Sequence, residues 1–319
     1  MSLLTELRYP TTRRAKVITA VLAVVFFWLL ATVIISALLL YRIVSPSRAG
    51  AEIDPMQLLG HPEIVSFPLP QGGEREAWFF PGLRNAPTVL LCHGYQSDRG
   101  QLLTLVTALQ ENRYNVLLFD FSGHGRTGGR TTLGAREAEE VRAAIEFLAA
   151  RGDVDAERFG VWGANLGAYA AISAATREKR IRALVVDSVY ANPLQMLQIE
   201  IDQAGLGILP LVKSVAGVGY RLINIGVGKD TPLVQRLSEL EGVPKLFIGA
   251  RNQPQLAELT RQLFLASPEP RKEAIAPKAY AATLSEMEKR EYENLVVSFF
   301  LENLSLLRAP APPPGKAPL

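Results

Sequence analysis

The sequence predicts an α/β fold: a doubly wound, mostly parallel sheet with a helical insertion, preceded by one N-terminal transmembrane helix. Two observations predict it. From residue 88 onward, short apolar stretches of strand length alternate with longer stretches of helix length, as in a parallel sheet covered on both faces. Before them, the 25 residues from Val17 to Tyr41 carry no charge. That run is long enough to cross a hydrocarbon core about 30 Å thick.

Composition and charge limit the classes of function. With 319 residues, of which 48% are hydrophobic, the chain can form one large core plus appendages, which excludes a disordered protein. The net charge is +3, but residues 1–48 hold six Lys or Arg and one Glu, whereas the remainder holds 28 basic and 30 acidic residues. The basic excess therefore belongs to the anchor region, and nucleic-acid binding is not expected.

The N-terminal part is expected to contain a basic segment over residues 1–16, the membrane span over 17–41 and a linker over 42–61. A cleaved signal peptide is the alternative to an anchor. The apolar region of a signal peptide is usually about 7–15 residues long, which is shorter than the run 17–41. No clear small-x-small cleavage site follows that run either, so an uncleaved anchor is favoured. Four basic residues precede the span and two follow it closely; they are Arg8, Arg13, Arg14 and Lys16, and Arg42 and Arg48. This bias predicts a cytoplasmic N-terminus and a folded domain on the extracytoplasmic side.

The α/β domain is expected to span residues 62–305 and to begin with an antiparallel hairpin. The predicted parallel strands are 88–92, 115–121, 159–162, 183–187 and 244–248, and the predicted helices are 101–111, 136–151, 166–176, 255–264 and 285–304. The alternation breaks over residues 191–241, an apolar, glycine-bearing insertion. We expect a lid over the carboxyl ends of the strands, or alternatively a pair of helices that complete the core. The proline-rich tail 306–319 is expected to be disordered, with a protein partner as the alternative.

A glycine-flanked turn, Gly163-Ala164-Asn165-Leu166-Gly167, follows the predicted strand 159–162. Strand, tight turn and small-residue helix form a nucleophile elbow, G-x-S-x-G, with asparagine in place of serine. An amide has neither the hydroxyl nor the thiol that acyl transfer needs, and no neighbouring base can convert it into one near neutral pH. The turn is therefore present without its nucleophile.

Three further motifs lie at the carboxyl ends of the predicted strands 88–92, 115–121 and 183–187. They are His93-Gly94-Tyr95, the segment from Asp120 to Gly128, and Asp187-Ser188-Val189-Tyr190. Together with the turn at Asn165, these motifs resemble the α/β-hydrolase superfamily, most closely its lysophospholipase-like and serine-aminopeptidase-like branch. The resemblance covers about residues 62 to 305.

The resemblance implies an oxyanion hole built from backbone N–H groups, which do not depend on side-chain identity. By position, the donors would come from Tyr95, Gln96 and Leu166. We therefore expect an oxyanion-hole-like ligand pocket formed by His93, Gly94, Tyr95, Gln96, Asn165 and Leu166.

The resemblance also places a catalytic acid and a catalytic base, and the sequence has neither. At the acid position, after the strand 244–248, stand the amides Asn252 and Gln253. The base would follow the last strand, near residues 276–281, yet no histidine follows His124. Asp187 is an alternative acid, but it would have no imidazole to orient. Hydrolysis of Asn165 to aspartate would still leave no histidine to activate water.

The other reactive side chains have structural explanations. His93 and His124 match structural histidines of the family's loops, and His61 precedes the domain. Three scattered histidines give no metal-site signature, so neither a metal nor a cofactor is expected. Cys92 lies in an apolar strand and is interpreted as a small buried hydrophobe, with a reactive thiol as the alternative.

The leading interpretation is a membrane-anchored pseudohydrolase, catalytically inactive, that binds a ligand, a lipid or a protein partner. A lipid or small acyl compound is the expected ligand class, because the pocket lies close to a membrane anchor. The alternative is an active serine hydrolase of the esterase, lipase or peptidase type that uses Ser97, Ser122 or Cys92 with a rearranged base. Ser188, which follows Asp187, is a further candidate hydroxyl, although a loop or turn role explains it better. A third possibility is a structural module without a ligand.

Overall fold

The computed structural model describes residues 12–47, 61–227, 232–279 and 284–306. The chain divides into two compact units. The first combines the N-terminal helix with residues 194–225 of the insertion, and the second contains the sheet. Residues 226–227 and 232–241 belong to the second unit, so the insertion 191–241 is not a single element. Its role as a lid stays a prediction.

The helices are α1 Arg13–Val44, α2 Leu103–Glu111, α3 Glu137–Ala149, α4 Leu166–Ala175, α5 Pro193–Gln203, α6 Pro210–Ile223, α7 Leu233–Arg236, α8 Pro254–Ala266 and α9 Glu286–Asn303. The strands are β1 Glu63–Pro68, β2 Glu74–Phe80, β3 Thr88–Cys92, β4 Asn115–Phe119, β5 Phe159–Ala164, β6 Ile181–Asp187, β7 Lys245–Ala250 and β8 Arg271–Ala276.

Helix α1 contains the predicted span 17–41 and extends beyond it at both ends. Within the described residues, it is the one helix that is long and apolar enough to cross a membrane, and it is compatible with a single-pass anchor or a signal sequence. Assigning residues 42–44 to the linker was wrong, because the helix continues through Val44. The first helix breaker after the span is Pro46, which fits this end point. Most of the linker and tail lies outside the described residues.

The eight strands of the sheet have the order β1-β2-β4-β3-β5-β6-β7-β8. Strand β2 pairs antiparallel with β1 and β4, and the other pairs are parallel. The predicted fold class is therefore confirmed. Strands β3, β4, β5 and β7 are buried along their whole length. Helices α2 and α9 pack in one core cluster with alternate residues of these strands, and the intervening residues are buried as well, so the strands are apolar on both faces.

The register of the parallel strands brings the motifs to one edge of the sheet. Ala164 of β5 pairs with Asp187 of β6, and Asp187 pairs with Ile248 of β7. The residues that follow these three strands therefore emerge side by side at the carboxyl edge, where open α/β sheets bind ligands.

Candidate functional site

The glycines of the elbow are required by close backbone contacts. A Cβ on Gly163 would collide with the backbone oxygen of Gly167, and a Cβ on Gly167 would collide with the backbone oxygen of Cys92. Strand β5, helix α4 and strand β3 therefore approach more closely than any larger residue permits. The two glycines keep the strand-turn-helix geometry independently of the residue between them.

Asn165 itself has the strained backbone of an elbow residue. Its φ is 54° and its ψ is −109°, outside the regions that L-residues normally occupy. Such a conformation costs on the order of 1–3 kcal/mol and persists only when the surroundings impose it. The N–H of Asn165 donates to the carbonyl oxygen of Asp187 at 2.8 Å, and the carbonyl oxygen of Asn165 accepts from the N–H of Tyr169 at 3.0 Å. The fold therefore holds the turn on both sides.

A cavity of about 110 Å³ lies beside Asn165. Its lining combines the segments that follow β3, β5, β6, β7 and β8 with nearby strand and helix residues: Gly94, Tyr95, Ser97, Gln101, Leu102, Trp162, Ala164, Asn165, Ser188, Gln253 and Ala279. Neither a carboxylate nor an imidazole is among these lining residues. The volume is below the roughly 300–1,000 Å³ of pockets for drug-sized molecules, so the cavity fits a small group.

The predicted pocket residues divide into two sets. Gly94, Tyr95 and Asn165 line the cavity, and an ideal Cβ on Gly94 would lie 3.6 Å from the Cβ of Asn165. His93, Gln96 and Leu166 do not line it. The N–H of Leu166 still begins helix α4, where backbone donors lack intrahelical acceptors. The oxyanion-hole-like character of the pocket stays a prediction.

His93 has a structural role because both of its ring nitrogens are bonded. Nδ1 lies 2.8 Å from the carbonyl oxygen of Gly94, and Nε2 accepts from the N–H of Phe121 at 2.9 Å. Burial lowers the pKa of His93 to about 3. The imidazole therefore connects the loops after β3 and β4 and does not face the cavity.

His124 and His61 are no better placed as bases. Nδ1 of His124 lies 3.1 Å from the carbonyl oxygen of Ser122, and burial lowers the pKa of this imidazole. His61 is exposed, directly before β1. Among the described residues, no group of three or more His, Cys, Asp or Glu side chains is arranged to hold a metal ion.

At the acid position, an amide ties two loops together. Oδ1 of Asn252, after β7, accepts a hydrogen bond from the N–H of Ala279, after β8, at 3.0 Å. In the family, the resemblance implies that a carboxylate here would accept from the imidazole of the base. In this chain the same two loops are joined by an amide oxygen and a backbone N–H. The remainder of the base position, residues 280–281, lies outside the described residues.

Asp187 is committed to a buried hydrogen-bond network. Its Oδ1 accepts from the hydroxyl of Ser188 at 2.7 Å, and its Oδ2 accepts from the hydroxyl of Tyr292 at 2.8 Å. The indole N–H of Trp162 in turn donates to the hydroxyl of Tyr292 at 3.2 Å. The network joins β5, β6 and α9 beneath the cavity, so Asp187 is a structural carboxylate in this structure.

The alternative nucleophiles differ in their surroundings. Cys92 is buried, and burial raises its pKa far above the usual range of a thiol. The hydroxyl of Ser122 donates to Oε1 of Glu140 at 2.5 Å, away from the cavity. Ser97 and Ser188 both line the cavity, and Ser188 has a positive φ of 51°.

Two buried acceptors beside the cavity are unsatisfied. Oδ1 of Asn165 and Oε1 of Gln253 accept no hydrogen bond from any described residue. Leaving a buried polar group unpaired costs about 1–3 kcal/mol, so such groups mark a place where water or a ligand supplies the partner. Both amides come from positions that the resemblance assigns to catalysis.

Sequence reasoning missed the floor and the side of the cavity. Trp162 and Gln101 line it, yet Trp162 lies in an apolar strand and Gln101 next to a helix start. Strand alternation places Trp162 on the same face as Ala164, just before the turn, and that signal could have found it. Gln101 has no comparable signal in the sequence.

The comparisons with known proteins agree with this architecture. The family described as "Serine aminopeptidase, S33" matches residues 84–221. The chain is also 30% identical over 196 residues to the uncharacterized protein Rv2307c of Mycobacterium tuberculosis, covering 57% of this chain and 69% of that protein. The fold and the turn define an α/β hydrolase-fold protein. The chain belongs to the serine aminopeptidase S33-like family of that fold.

Other relatives match shorter parts. The uncharacterized protein YfhR of Escherichia coli is 28% identical over 137 residues, which cover 41% of this chain and 48% of YfhR. Among solved structures, the esterase Pf2001 of Pyrococcus furiosus aligns with a TM-score of 0.62 at 22% identity, covering 82% of this chain and 100% of that chain. A dienelactone hydrolase of Anabaena variabilis aligns with a TM-score of 0.54 at 14% identity, covering 76% and 98%. At these identities, the solved structures show the shared fold alone.

Proposed function

We propose that this protein is a membrane-anchored pseudohydrolase that binds a small acyl ligand with a hydrogen-bond donor, such as a primary amide, beside Asn165. The observation that carries the proposal is the combination of a preserved, strained elbow with an amide at its tip and a cavity next to it. The glycines hold the turn in place, and the unsatisfied amide oxygens of Asn165 and Gln253 are the feature that a ligand would complete. Hydrolysis is not expected, because Asn165 is no nucleophile and the residues that line the cavity include no base.

The polar groups around the cavity define the ligand chemistry. The amides of Asn165 and Gln253 each offer an oxygen acceptor and an N–H₂ donor, and both oxygens are unsatisfied. The N-terminus of helix α4 adds backbone donors and a partial positive charge. A group that both accepts and donates hydrogen bonds satisfies this set, as a carboxylic acid or a primary amide does.

Ligand binding can be measured through Trp162, whose ring lines the cavity. Full-length protein in detergent is titrated with butyramide, which can donate hydrogen bonds to the unsatisfied oxygens, while tryptophan emission is recorded. We expect a saturable change that is lost in Asn165→Leu, which keeps the side-chain size but removes the amide. Exposed Asn85→Leu, on a loop away from the cavity, is the matched control. Equal responses in the wild type and Asn165→Leu would contradict this ligand site.

A serine-directed fluorophosphonate probe tests the absence of catalysis. We expect no stoichiometric labelling of the full-length protein, because Ser122 is bonded to Glu140, Ser188 is bonded to the structural carboxylate of Asp187, and no imidazole lines the cavity beside Ser97. Labelling mapped to Ser97 or Ser188 would favour the alternative, an active serine hydrolase with an unconventional nucleophile. The position of both hydroxyls at the cavity is the observation that supports this alternative.

We further propose that α1 is an uncleaved anchor, with the N-terminus in the cytoplasm and the α/β domain on the extracytoplasmic side. The length of the uncharged run and the four basic residues before it support this orientation. A C-terminal alkaline phosphatase fusion should be active, and alkaline extraction should leave the protein in the membrane. A mature protein that has lost residues 1–41 would show instead that α1 is a signal sequence.

A further inference from the structure

Helix α6 packs against the C-terminal part of α1 within their common unit. The hydroxyl of Ser36 on α1 donates to the carbonyl oxygen of Val212 on α6 at 3.3 Å, and also to that of Thr32 at 2.7 Å. A Cβ on Gly219 would lie 2.9 Å from Cδ2 of Leu40, so this glycine permits the close approach. The two helices therefore meet over the stretch from Ser36 to Leu40.

This contact defines the depth of α6, provided that the proposed membrane anchor is correct. An α-helix rises about 1.5 Å per residue, so a hydrocarbon core of about 30 Å takes about 20 residues. If the core is centred on the uncharged run, at Leu29, Ser36 lies about 10 Å and Leu40 about 16 Å from the midplane. Helix α6 would then lie at the boundary between the hydrocarbon core and the headgroups.

The surface of α6 has a buried side, an exposed apolar side and a polar side, which is the pattern of a helix at a membrane interface. Val212, Ala216 and Tyr220 form the buried side. Leu211, Val218 and Leu222 form an exposed apolar stripe, with Ile208 before the helix and Ile225 after it exposed by 86% and 77%. Lys213, Ser214 and Arg221 occupy a separate polar side, as their spacing at about 100° per residue shows.

We propose that this apolar stripe of α6 lies against lipid in the leaflet on the side of the folded domain. An exposed apolar surface of this extent is uncommon on proteins surrounded by water, and its continuity with the membrane-spanning α1 points to lipid as the occupant. The backbone of α6 is helical, so its polar groups are satisfied inside the membrane boundary. On the polar side of the same helix, Arg221 reaches the headgroup region, and Lys213 forms an ion pair with Asp202 of α5 at 2.5 Å. The chain thus contacts the membrane through a second, interfacial element.

Depth-dependent quenching tests the proposal on full-length protein in phosphatidylcholine vesicles. Leu222→Cys on the stripe, Ser214→Cys on the polar side and Val25→Cys in the middle of α1 are each labelled with the fluorophore NBD. Native Cys92 is buried, and unsubstituted protein serves as the labelling blank. We expect doxyl-labelled lipid to quench NBD at Leu222→Cys and Val25→Cys, and aqueous iodide to quench it at Ser214→Cys.

The three labelled positions distinguish a failure of the proposed lipid contact of α6 from a failure of the proposed membrane anchor. If NBD at Val25→Cys is quenched by lipid but NBD at Leu222→Cys is quenched by iodide, α1 is an anchor and the proposed lipid contact of α6 is wrong. If NBD at Leu222→Cys is shielded from both quenchers, the stripe is covered by protein, for instance by a second copy, and the proposal is equally overturned. If lipid fails to quench NBD at Val25→Cys, the anchor and the proposal fall together.

Discussion

At Asn165 the backbone and the side chain serve different purposes. The backbone keeps the φ and ψ of a nucleophile elbow, enforced by the contacts of Gly163 and Gly167 with neighbouring backbone atoms. The side chain contributes an unsatisfied amide oxygen, and the amide of Gln253 contributes a second one across the cavity. Since the glycines impose the strained turn whatever residue stands at 165, the turn and the cavity beside it are compatible with asparagine at this position.

Restoring the hydroxyl alone should restore little activity. In Asn165→Ser, the new hydroxyl would occupy the elbow without a base to remove its proton. We expect hydrolysis of p-nitrophenyl acetate on the order of 10⁴-fold or more below that of an intact triad esterase assayed in parallel. Asn165→Ala provides the background rate. Vigorous turnover of Asn165→Ser would mean that a base reaches the elbow, and the pseudohydrolase assignment would be wrong.

Gly167 should tolerate no side chain. In Gly167→Ala the added Cβ would meet the backbone oxygen of Cys92, which cannot move without displacing β3. We expect a loss of about 3 kcal/mol in the free energy of unfolding, measured by denaturant titration in detergent. Gly152→Ala is the matched control, because a Cβ at Gly152 meets no atom within 4 Å. Similar stability of both variants would contradict the close approach of α4 and β3.

At the scale of elements, helix α9 supports the floor of the site. Its Tyr292 donates to Asp187, and its Phe300 packs where a Cβ on Gly160 of β5 would lie 2.7 Å from the ring. The helix begins with a capping box: the hydroxyl of Ser285 accepts from the N–H of Glu288, and the carboxylate of Glu288 accepts from the N–H of Ser285. The start of α9 is thereby fixed.

Removing the cap should destabilise the protein measurably. Ser285→Ala leaves the N–H of Glu288 without its acceptor, and we expect a loss of about 1 kcal/mol in the free energy of unfolding. Ser285→Asp keeps an acceptor at the same position and should retain most of the stability. Denaturant titrations of the three proteins give the comparison. If Ser285→Ala is as stable as the wild type, the capping box contributes nothing.

The elements differ in how far the sequence predicts them. Strands such as β3 and β5 are buried on both faces, so their apolar runs identify them directly. Strand β8, Arg271–Ala276, was not predicted from the apolar pattern, although the resemblance implied a last strand before residues 276–281. It lies at the sheet edge, and its sequence Arg-Lys-Glu-Ala-Ile-Ala is half charged. The bond between Asn252 and Ala279 and the packing of α6 on α1 join residues far apart in sequence, which no local pattern encodes.

At the scale of the whole molecule, buried ionisable groups link stability to pH in opposite directions. Burial lowers the pKa of His93 to about 3. The contribution of the neutral imidazole to the free energy of unfolding is therefore full above the pKa of the unfolded state, near 6.5, and is lost as pH falls toward 3. Burial raises the pKa of Glu140 to about 7, although Arg75 at 3.0 Å acts against this shift. The contribution of protonated Glu140 to the free energy of unfolding is therefore full below the pKa of the unfolded state, near 4.5, and is lost as pH rises toward 7.

The variant Glu140→Gln isolates the effect of the raised pKa of Glu140 on the stability of the protein. Glutamine cannot ionise but can still hydrogen-bond to Ser122, so it resembles the protonated acid that the folded state favours. Between pH 4.5 and 7, the free energy of unfolding of the wild type should fall relative to that of Glu140→Gln, by up to about 1.4 kcal/mol per pH unit. Denaturant titrations at half-unit intervals measure the difference, with exposed Glu111→Gln as the control. A difference that does not change with pH, or that grows in favour of the wild type, would mean that the ion pair with Arg75 outweighs burial, and that Glu140 is ionised throughout.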